Sequence, residues 1–403
     1  MKKNKLFYLF LIFFSMLFSE SDDAYVILIS FDGFRYDYME RVDTPNFDQI
    51  EKNGIKAKSL KPVFPSFTFP NHYAIATGCY ADKHKILGNE FITFLGEYSY
   101  KNKNTVQDAK WYGAEPIWVT AEKNGIITAT YFWVGSEAKI GGYYPTYYKN
   151  YQSGIDPEIK IKQVVDWLEL PIQERPRLIC LYFNEPDHAG HVYGANSKEV
   201  NQEVKNSDDI LGNLITSLKQ LDIYNNINFV IVSDHGMVDV SEKKVININD
   251  YNIPGIIHGK GPIMSVTDKN FLRTTSKRKE KILIPDIDIP HVKIVSSRDN
   301  NDLHYHNPYY NFLFIADEGW MLYTHDLLKE YNGKLPVKGM HGYDSNSMNM
   351  HAIFYAYGPQ FKSNMLIDTF ELIHIYPMLC ELLGIKPYKD IDGKLKILQP
   401  ILN

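Results

Sequence analysis

Cysteine is scarce in this chain: Cys79, Cys180 and Cys380 are the only three among 403 residues. A disulfide framework is thereby excluded as the main source of stability, and an odd count leaves at least one thiol without an intramolecular partner. Cys180 sits in the apolar run around Leu178, Ile179 and Leu181 and is expected to be buried. No Asn-x-Ser/Thr sequon occurs. Positive charge is not in excess, with 43 Lys and Arg against 48 Asp and Glu for a net charge of −5. That excludes binding of nucleic-acid duplexes through a basic surface. Apolar runs of the ~20 residues needed to cross a bilayer are also missing. The one long run, Leu6 to Phe18, is broken only by Ser15, follows Lys2, Lys3 and Lys5, and precedes the small and acidic stretch Ser19 to Asp23. It reads as a signal peptide over residues 1–19, and hence as secretion. Residues 391–403 carry no hydrophobic run and are expected to form a plain C-terminal tail.

What is present is enough apolar residue, 44% of the chain, for a large core. Tyr25 to Phe31, Leu178 to Phe183, Phe229 to Ser233 and Ala352 to Tyr357 are short, β-branched or aromatic, and lack alternation. Such runs suit strands of a parallel sheet covered on both faces. Between them lie helical patterns: Pro45 to Asn53 before Gly54, Asn71 to Thr77 before Gly78, and a 3.6-residue periodicity over Val200 to Leu221. The alternation predicts one large α/β domain over residues 22–390, with a central, mostly parallel sheet and helices on both faces. Residues 239–307, rich in Lys, Asp, Ile and Pro, read as a small subdomain inserted into it.

Chemistry collects where the strands end. The first run is followed by Asp32, the second by Asp187, His188 and His191, and the third by Asp234 and His235. His341 lies in a loop before the fourth. In open α/β sheets ligands bind beyond the carboxyl ends of the strands. Carboxylates and imidazoles are ligands for zinc, and so many at one edge exceed the needs of a single tetrahedral ion. Two metals fit better, and two-metal sites clamp the attacking and leaving oxygens of phosphoryl transfer. A nucleophile is offered by Pro62 to Tyr73, where prolines bracket a turn leading into a helix. Ser66 and Thr68 are both candidates, since a hydroxyl at a helix N-terminus faces an anion-attracting dipole and is activated by a bound metal.

These motifs resemble the ectonucleotide pyrophosphatase/phosphodiesterase family of the alkaline phosphatase superfamily, in its short form with the catalytic domain alone. The matching segments, in the family's order, are Phe31 to Arg35, Pro62 to Gly78, Leu87 to Phe91, Glu185 to Gly194, Ser233 to Met237, Leu303 to Asn307, Ala316 to Trp320 and His341 to Asp344. The resemblance implies an alkaline-phosphatase-like three-layer fold and a monomer with two Zn2+. It selects Thr68 over Ser66 as nucleophile. It assigns Asp32, Thr68, Asp234 and His235 to one ion and Asp187, His191 and His341 to the other, and leaves His188 without a role. Asn89 would bind a non-bridging phosphate oxygen together with the Thr68 N–H. Cys79 departs from the family, which usually has leucine after the Ala-Thr-Gly motif.

The implied reaction is hydrolysis of nucleotide phosphodiester or pyrophosphate bonds through a covalent phospho-threonine, releasing nucleoside 5′-monophosphates. Phe69, directly after the nucleophile, and Tyr151, aligned through the Trp-x-Gly-Ser motif, would sandwich the base of a nucleotide or dinucleotide. A choline phosphodiester is the alternative substrate, and its signature would be a carboxylate closing an aromatic cage. A sulfatase is excluded because Cys79 is followed by Tyr-Ala-Asp-Lys rather than by Pro and Arg at the required spacing.

Overall fold

The computed structural model describes residues 24–267, 287–297 and 301–403. The signal peptide expected at residues 1–19 lies outside the described residues, as does part of the expected insertion. In chain order the strands that position the site are β1 (Tyr25–Phe31), β2 (Ile55–Ala57), β3 (Thr128–Tyr131), β4 (Tyr147–Lys149), β5 (Leu178–Phe183) and β6 (Ile227–Val232). They are followed by β7 (Ile256–Lys260), β8 (Ile263–Thr267), β9 (Val292–Ser296), β10 (Phe312–Ala316), β11 (Phe354–Tyr357) and β12 (Met365–Ile367). The helices used below are α1 (Pro45–Asn53), α2 (Thr68–Thr77), α3 (Pro157–Leu168), α4 (Asp187–Tyr193), α5 (Lys198–Leu218) and α6 (Ile375–Leu382).

Eight strands form the central sheet in the order β12-β2-β11-β6-β1-β5-β3-β4. β1 lies between β5 and β6, parallel to both, and all seven of its residues are buried. Its side chains alternate between two cores. Val26 and Leu28 join α2 and α6 on one face, while Ile27 and Ile29 join α1, α3 and α5 on the other. Full burial of each such side chain contributes ~1.5–3 kcal/mol, so the strand that ends at Asp32 is firmly held from both faces. This is the three-layer α/β arrangement expected.

β11 alone runs against its neighbours, β6 and β2; the other pairs in the sheet are parallel. The sequence reading puts Ala352 to Tyr357 among the parallel strands, and the structure shortens and reverses it. An apolar run buried on both faces carries no information about direction. The reversal has a consequence for the site: the N-terminal end of β11 lies at the same edge as the C-terminal ends of β1, β5 and β6, and so does the loop bearing His341.

The helix boundaries also shift. α2 begins three residues earlier than its periodicity suggests, at Thr68, and ends at Thr77 with Gly78 as its left-handed cap. Gly54 does follow α1, but not as a left-handed cap: its φ is −145°, and a Cβ there would lie 2.2 Å from the Ala356 carbonyl oxygen. Glycine is needed because backbone passes backbone. The insertion forms a second, antiparallel sheet, β7-β8-β10-β9, over its own core of Met264, Val266, Phe312 and Phe314. Its expected boundary at residue 307 falls short, because β10 is an interior strand of that sheet and Val245–Asn247 pairs with Met321–Tyr323. Residues 391–403 are not a free tail: Leu398 and Ile401 are buried, and Asp392 and Gly393 N–H both donate to the Gly78 carbonyl. Cys79, Cys180 and Cys380 are all buried free thiols.

Candidate functional site

Asp32 follows β1 directly, and Asp234 and His235 follow β6 after Ser233. Asp187 opens α4 just after β5, and His191 stands one turn later on the same helix face. His341 arrives from the loop before β11. Two overlapping groups bring ligand atoms within 4.8 Å of one another: Asp32, Asp234 and His235, and Asp187, His235 and His341. His191 Nε2 lies 3.2 Å from His341 Nε2 and 3.5 Å from Asp187 Oδ2, so it borders the second group. His188, next in sequence, is exposed. Gly33 permits the approach of the two carboxylate-bearing segments. It has φ +66°, and a Cβ there would lie 2.8 Å from the Asp187 Cα and Cβ.

The histidines are pre-oriented. Nδ1 of His191, His235 and His341 faces a backbone carbonyl, of Gly339 at 2.9 Å, Gly236 at 2.9 Å and Ser66 at 3.0 Å respectively. A carbonyl only accepts, so Nδ1 must carry the proton, and the neutral ring then presents a lone pair at Nε2. The Nε2 atoms of His191 and His341 approach to 3.2 Å. The carboxylates tell the same story. Asp32 Oδ1, Asp187 Oδ1 and Asp234 Oδ2 are buried without a hydrogen-bond partner. Burying unpaired anionic oxygens is costly unless a cation compensates them. These unpartnered atoms are the observation that fits metal ions to the site.

Burial, then Asp234 and Asp187, push the Asp32 carboxyl well above its usual range, and the 2.6 Å bond from the Tyr182 hydroxyl to Oδ2 works the other way. For Asp234 burial opposes ionisation, and His235 and His72, 3.1 and 3.3 Å from its Oδ2, lower it well below the usual range when their rings carry a second proton. Burial, reinforced by His235 and His191, keeps the His341 imidazole neutral. The site thus holds competing charges in a small, largely buried volume.

Thr68 is the first residue of α2, and its Oγ1 lies 3.2 Å from His235 Nε2. Ser66 is turned away: it is buried and donates to the Tyr343 carbonyl at 2.8 Å. Of the two hydroxyls open on sequence chemistry, only that of Thr68 meets the ligand cluster. Behind it, buried His72 uses Nδ1 on the Thr68 carbonyl at 3.0 Å and Nε2 on Ser30 Oγ at 2.8 Å. Asn89 accepts from the Phe69 N–H at 3.0 Å through Oδ1, which leaves Nδ2 as its donor beside Thr68.

The structure does not place the rings of Phe69 and Tyr151 against each other. Phe69 is in ring contact with Tyr98 and Tyr100, and Tyr151 with Phe132 and Tyr182. Tyr151 is half exposed, and its phenol is raised by burial and by the nearby Asp32 and Tyr100. Its backbone N–H donates to Glu137 Oε1 at 2.7 Å, and Glu137 Oε2 accepts from Gln107 at 3.1 Å. Tyr182, His72, Glu137 and Tyr100 were not singled out by sequence. The one local hint was for Tyr182, a polar-tipped ring in an otherwise apolar strand.

The family described as type I phosphodiesterase / nucleotide pyrophosphatase matches residues 26–344. Venom phosphodiesterase 2 of Crotalus adamanteus is 36% identical over 373 residues, covering 90% of this chain and 45% of that protein. Human ectonucleotide pyrophosphatase/phosphodiesterase family member 1 is 35% identical over 390 residues, covering 90% of this chain and 40% of its own length. The chain therefore spans less than half of these curated relatives. Among solved structures, an inactive threonine-to-alanine variant of murine ectonucleotide pyrophosphatase/phosphodiesterase 5, in complex with AMP, superposes with a TM-score of 0.84 at 28% identity, covering 94% of this chain and all of that one. With the ligand cluster, the hydroxyl at the start of α2 and the matched sequence in agreement, the chain belongs to the type I phosphodiesterase / nucleotide pyrophosphatase family.

Proposed function

We propose that the protein hydrolyses nucleotide phosphodiester or pyrophosphate bonds with two zinc ions, Thr68 acting as nucleophile. The observation that carries this is the convergence of three buried carboxylate oxygens without hydrogen-bond partners, three imidazole Nε2 atoms turned into the same cluster and the Thr68 hydroxyl at one sheet edge. Asp32, Asp234 and His235 with Thr68 would hold one ion, and Asp187, His191 and His341 the other. When bound, the ions supply neutralisation of phosphate charge and acidification of the hydroxyl. Thr68 Oγ1 then forms a bond to phosphorus as the bond to the leaving oxygen breaks, and water hydrolyses the phospho-threonyl ester to restore the hydroxyl. Asn89 Nδ2 and the Thr68 N–H donate to a non-bridging oxygen, where negative charge concentrates in the transition state. Phe69 and Tyr151 offer rings to the base, and stacking of this kind tolerates any base.

Nucleotide recognition is supported by the AMP complex of the related murine protein. The choline alternative is not favoured, since Glu137, the carboxylate beside Tyr151, has both oxygens engaged. Secretion is inferred from residues 1–19 and from the venom relatives. No helix among the described residues is long and apolar enough to cross a membrane. The test is cleavage of a nitrophenyl ester of a nucleoside 5′-monophosphate by the purified protein. It should be abolished by chelation, restored by zinc, and absent in Thr68→Ala. No turnover by folded, zinc-loaded protein refutes the proposal.

A further inference from the structure

Lys160 is the odd residue of the core. It lies on α3, on the face that buries Ile161, Val164 and Trp167, and is itself only 3% exposed. No carboxylate pairs with it among the described residues. Its ammonium donates to the Tyr182 carbonyl at 3.0 Å, its one hydrogen bond among the described residues. Four rings surround the charge: Phe132 and Phe183 at 5.0 Å, Tyr131 at 5.9 Å and Tyr182 at 6.0 Å from Nζ to centroid. Burial without a counter-charge pushes its pKa down to about 8. A lysine kept in such surroundings is poorly explained by stability alone, because apolar side chains of similar volume commonly replace buried charges without loss.

Three of the four rings have destinations at or next to the site. Tyr182 and Phe183 are the last residues of β5. The Tyr182 hydroxyl donates to Asp32 Oδ2 at 2.6 Å, the Phe183 carbonyl accepts from the Asp32 N–H at 2.9 Å, and the Phe183 ring stacks on Phe31 at 5.1 Å. Phe132, held at φ +68°, puts its ring 5.2 Å from that of Tyr151. One side chain therefore touches both the segment that fixes Asp32 and the ring that supports Tyr151.

We propose that Lys160 is a positioning residue that couples the metal site to the base-stacking surface: its ammonium, hydrogen-bonded to the Tyr182 carbonyl and seated among four rings, fixes the end of β5 and the Phe132–Tyr151 pair relative to each other. The proposal rests on the nucleotide phosphodiesterase reading above for its kinetic consequences, but not for its effect on metal affinity. It predicts a split. Loss of the ammonium lowers kcat on every phosphodiester, through Tyr182 and Asp32. It raises KM only on substrates with a base, through Phe132 and Tyr151.

The test compares wild type, Lys160→Met and Lys160→Arg on two probes: a nitrophenyl ester of thymidine 5′-monophosphate, and bis(nitrophenyl) phosphate, which has no base. For Lys160→Met the expected result is a fall in kcat of tenfold or more on both, with KM raised several-fold on the nucleotide ester alone. Lys160→Arg, which retains a donor and a cation for the rings, should recover most of the loss. Zinc affinity, read by competition with a chromophoric chelator, should fall about tenfold in Lys160→Met and recover in Lys160→Arg. Should Lys160→Met fail to fold, Lys160→Gln, a neutral donor, takes its place. Kinetics and zinc affinity within twofold of wild type overturn the proposal, as does equal impairment of the Met and Arg variants. If wild type itself cleaves neither probe, the phosphodiesterase reading fails, and the zinc competition still decides the role of Lys160.

Discussion

Replacing Tyr182 by phenylalanine removes one oxygen atom from the protein and leaves no cavity, yet it should loosen the metal site. The hydroxyl donates to Asp32 Oδ2 at 2.6 Å. Asp32 is buried, and burial, Asp234 and Asp187 all raise its pKa; the Tyr182 bond is the contact that opposes them. The phenol itself is held far above its ordinary range, first by burial and then by Asp32, so it remains a donor throughout neutral pH. A hydrogen bond to a charged group is worth about 1.5–3 kcal/mol, or roughly 10- to 150-fold in an equilibrium constant. Partners behind metal ligands show about 10- to 100-fold effects on metal affinity. Tyr182→Phe should therefore bind zinc 10- to 100-fold more weakly at neutral pH. The sign of the pH effect follows. Metal binding needs ionised Asp32, and loss of the donor raises its pKa further, so protons compete better. The pH at half-saturation at fixed zinc should then move upward in the variant. Titration against a chromophoric chelator between about pH 5 and pH 8 measures both quantities. Equal affinity within twofold across that range, in a variant with unchanged circular dichroism, refutes the reasoning.

Thr68→Ala should abolish turnover while the melting temperature stays near wild type, because the hydroxyl is half-buried at a helix start and buries no core surface; mass spectrometry of denatured protein after a pulse of substrate should show a phosphoryl adduct only when Thr68 is present. Tyr151→Ala should raise KM on a nucleotide ester by about 5- to 150-fold, the range of ~1–3 kcal/mol per stacked base, and leave KM on bis(nitrophenyl) phosphate within threefold. Gly33→Ala puts a β-carbon at φ +66° and within 2.8 Å of Asp187. The strain, about 1–2 kcal/mol from the left-handed backbone alone, adds to displacement of Asp187, so zinc content by atomic absorption should drop below stoichiometric. Lys160 offers a pH test. Its pKa is lowered to about 8 in the fold, so the unfolded chain holds the extra proton between about pH 8 and pH 10.4 and stability rises with pH in that window. Denaturant unfolding at pH 7 and pH 10 should show wild type gaining on Lys160→Met by an amount on the order of 1–3 kcal/mol.

The parts of the site that sequence revealed share a local signature. Asp32, Asp187 and Asp234 each lie within four residues of the end of an apolar run, and His191 and His235 lie within a helical turn of them, so a change from apolar to ionisable side chains marks them. The three-layer fold was legible for the same reason. What sequence left open depended on contacts between distant segments. Ser66 and Thr68 are chemically equivalent on paper; the family resemblance chose Thr68, but the contact that turns Ser66 away, to the Tyr343 carbonyl 277 residues on, has no local signal. Tyr182 meets Asp32 across 150 residues and looks like any aromatic in a strand. Lys160 sits in a helix whose other polar positions face water, and nothing local sets it apart. The direction of β11 and the extent of the insertion were hidden because burial pattern is blind to direction and to sheet membership.

The reversed strand β11 gives the molecule a handle. Because β6 ends and β11 begins at the same edge, the whole segment between them leaves and rejoins the sheet side by side on the rim of the site. Such a segment behaves as a cartridge: its far end is free to lengthen, shorten or change sequence without altering the order of the sheet. The last stretch before it rejoins carries His341, whose Nδ1 is tied to the Ser66 carbonyl in the turn before Thr68. A remodelled cartridge thus reports on itself, since any version that seats badly moves an imidazole and a hydroxyl-bearing turn together. A chimera that keeps residues 338–351 and replaces the second sheet with a short linker would show whether that seat forms without the cartridge.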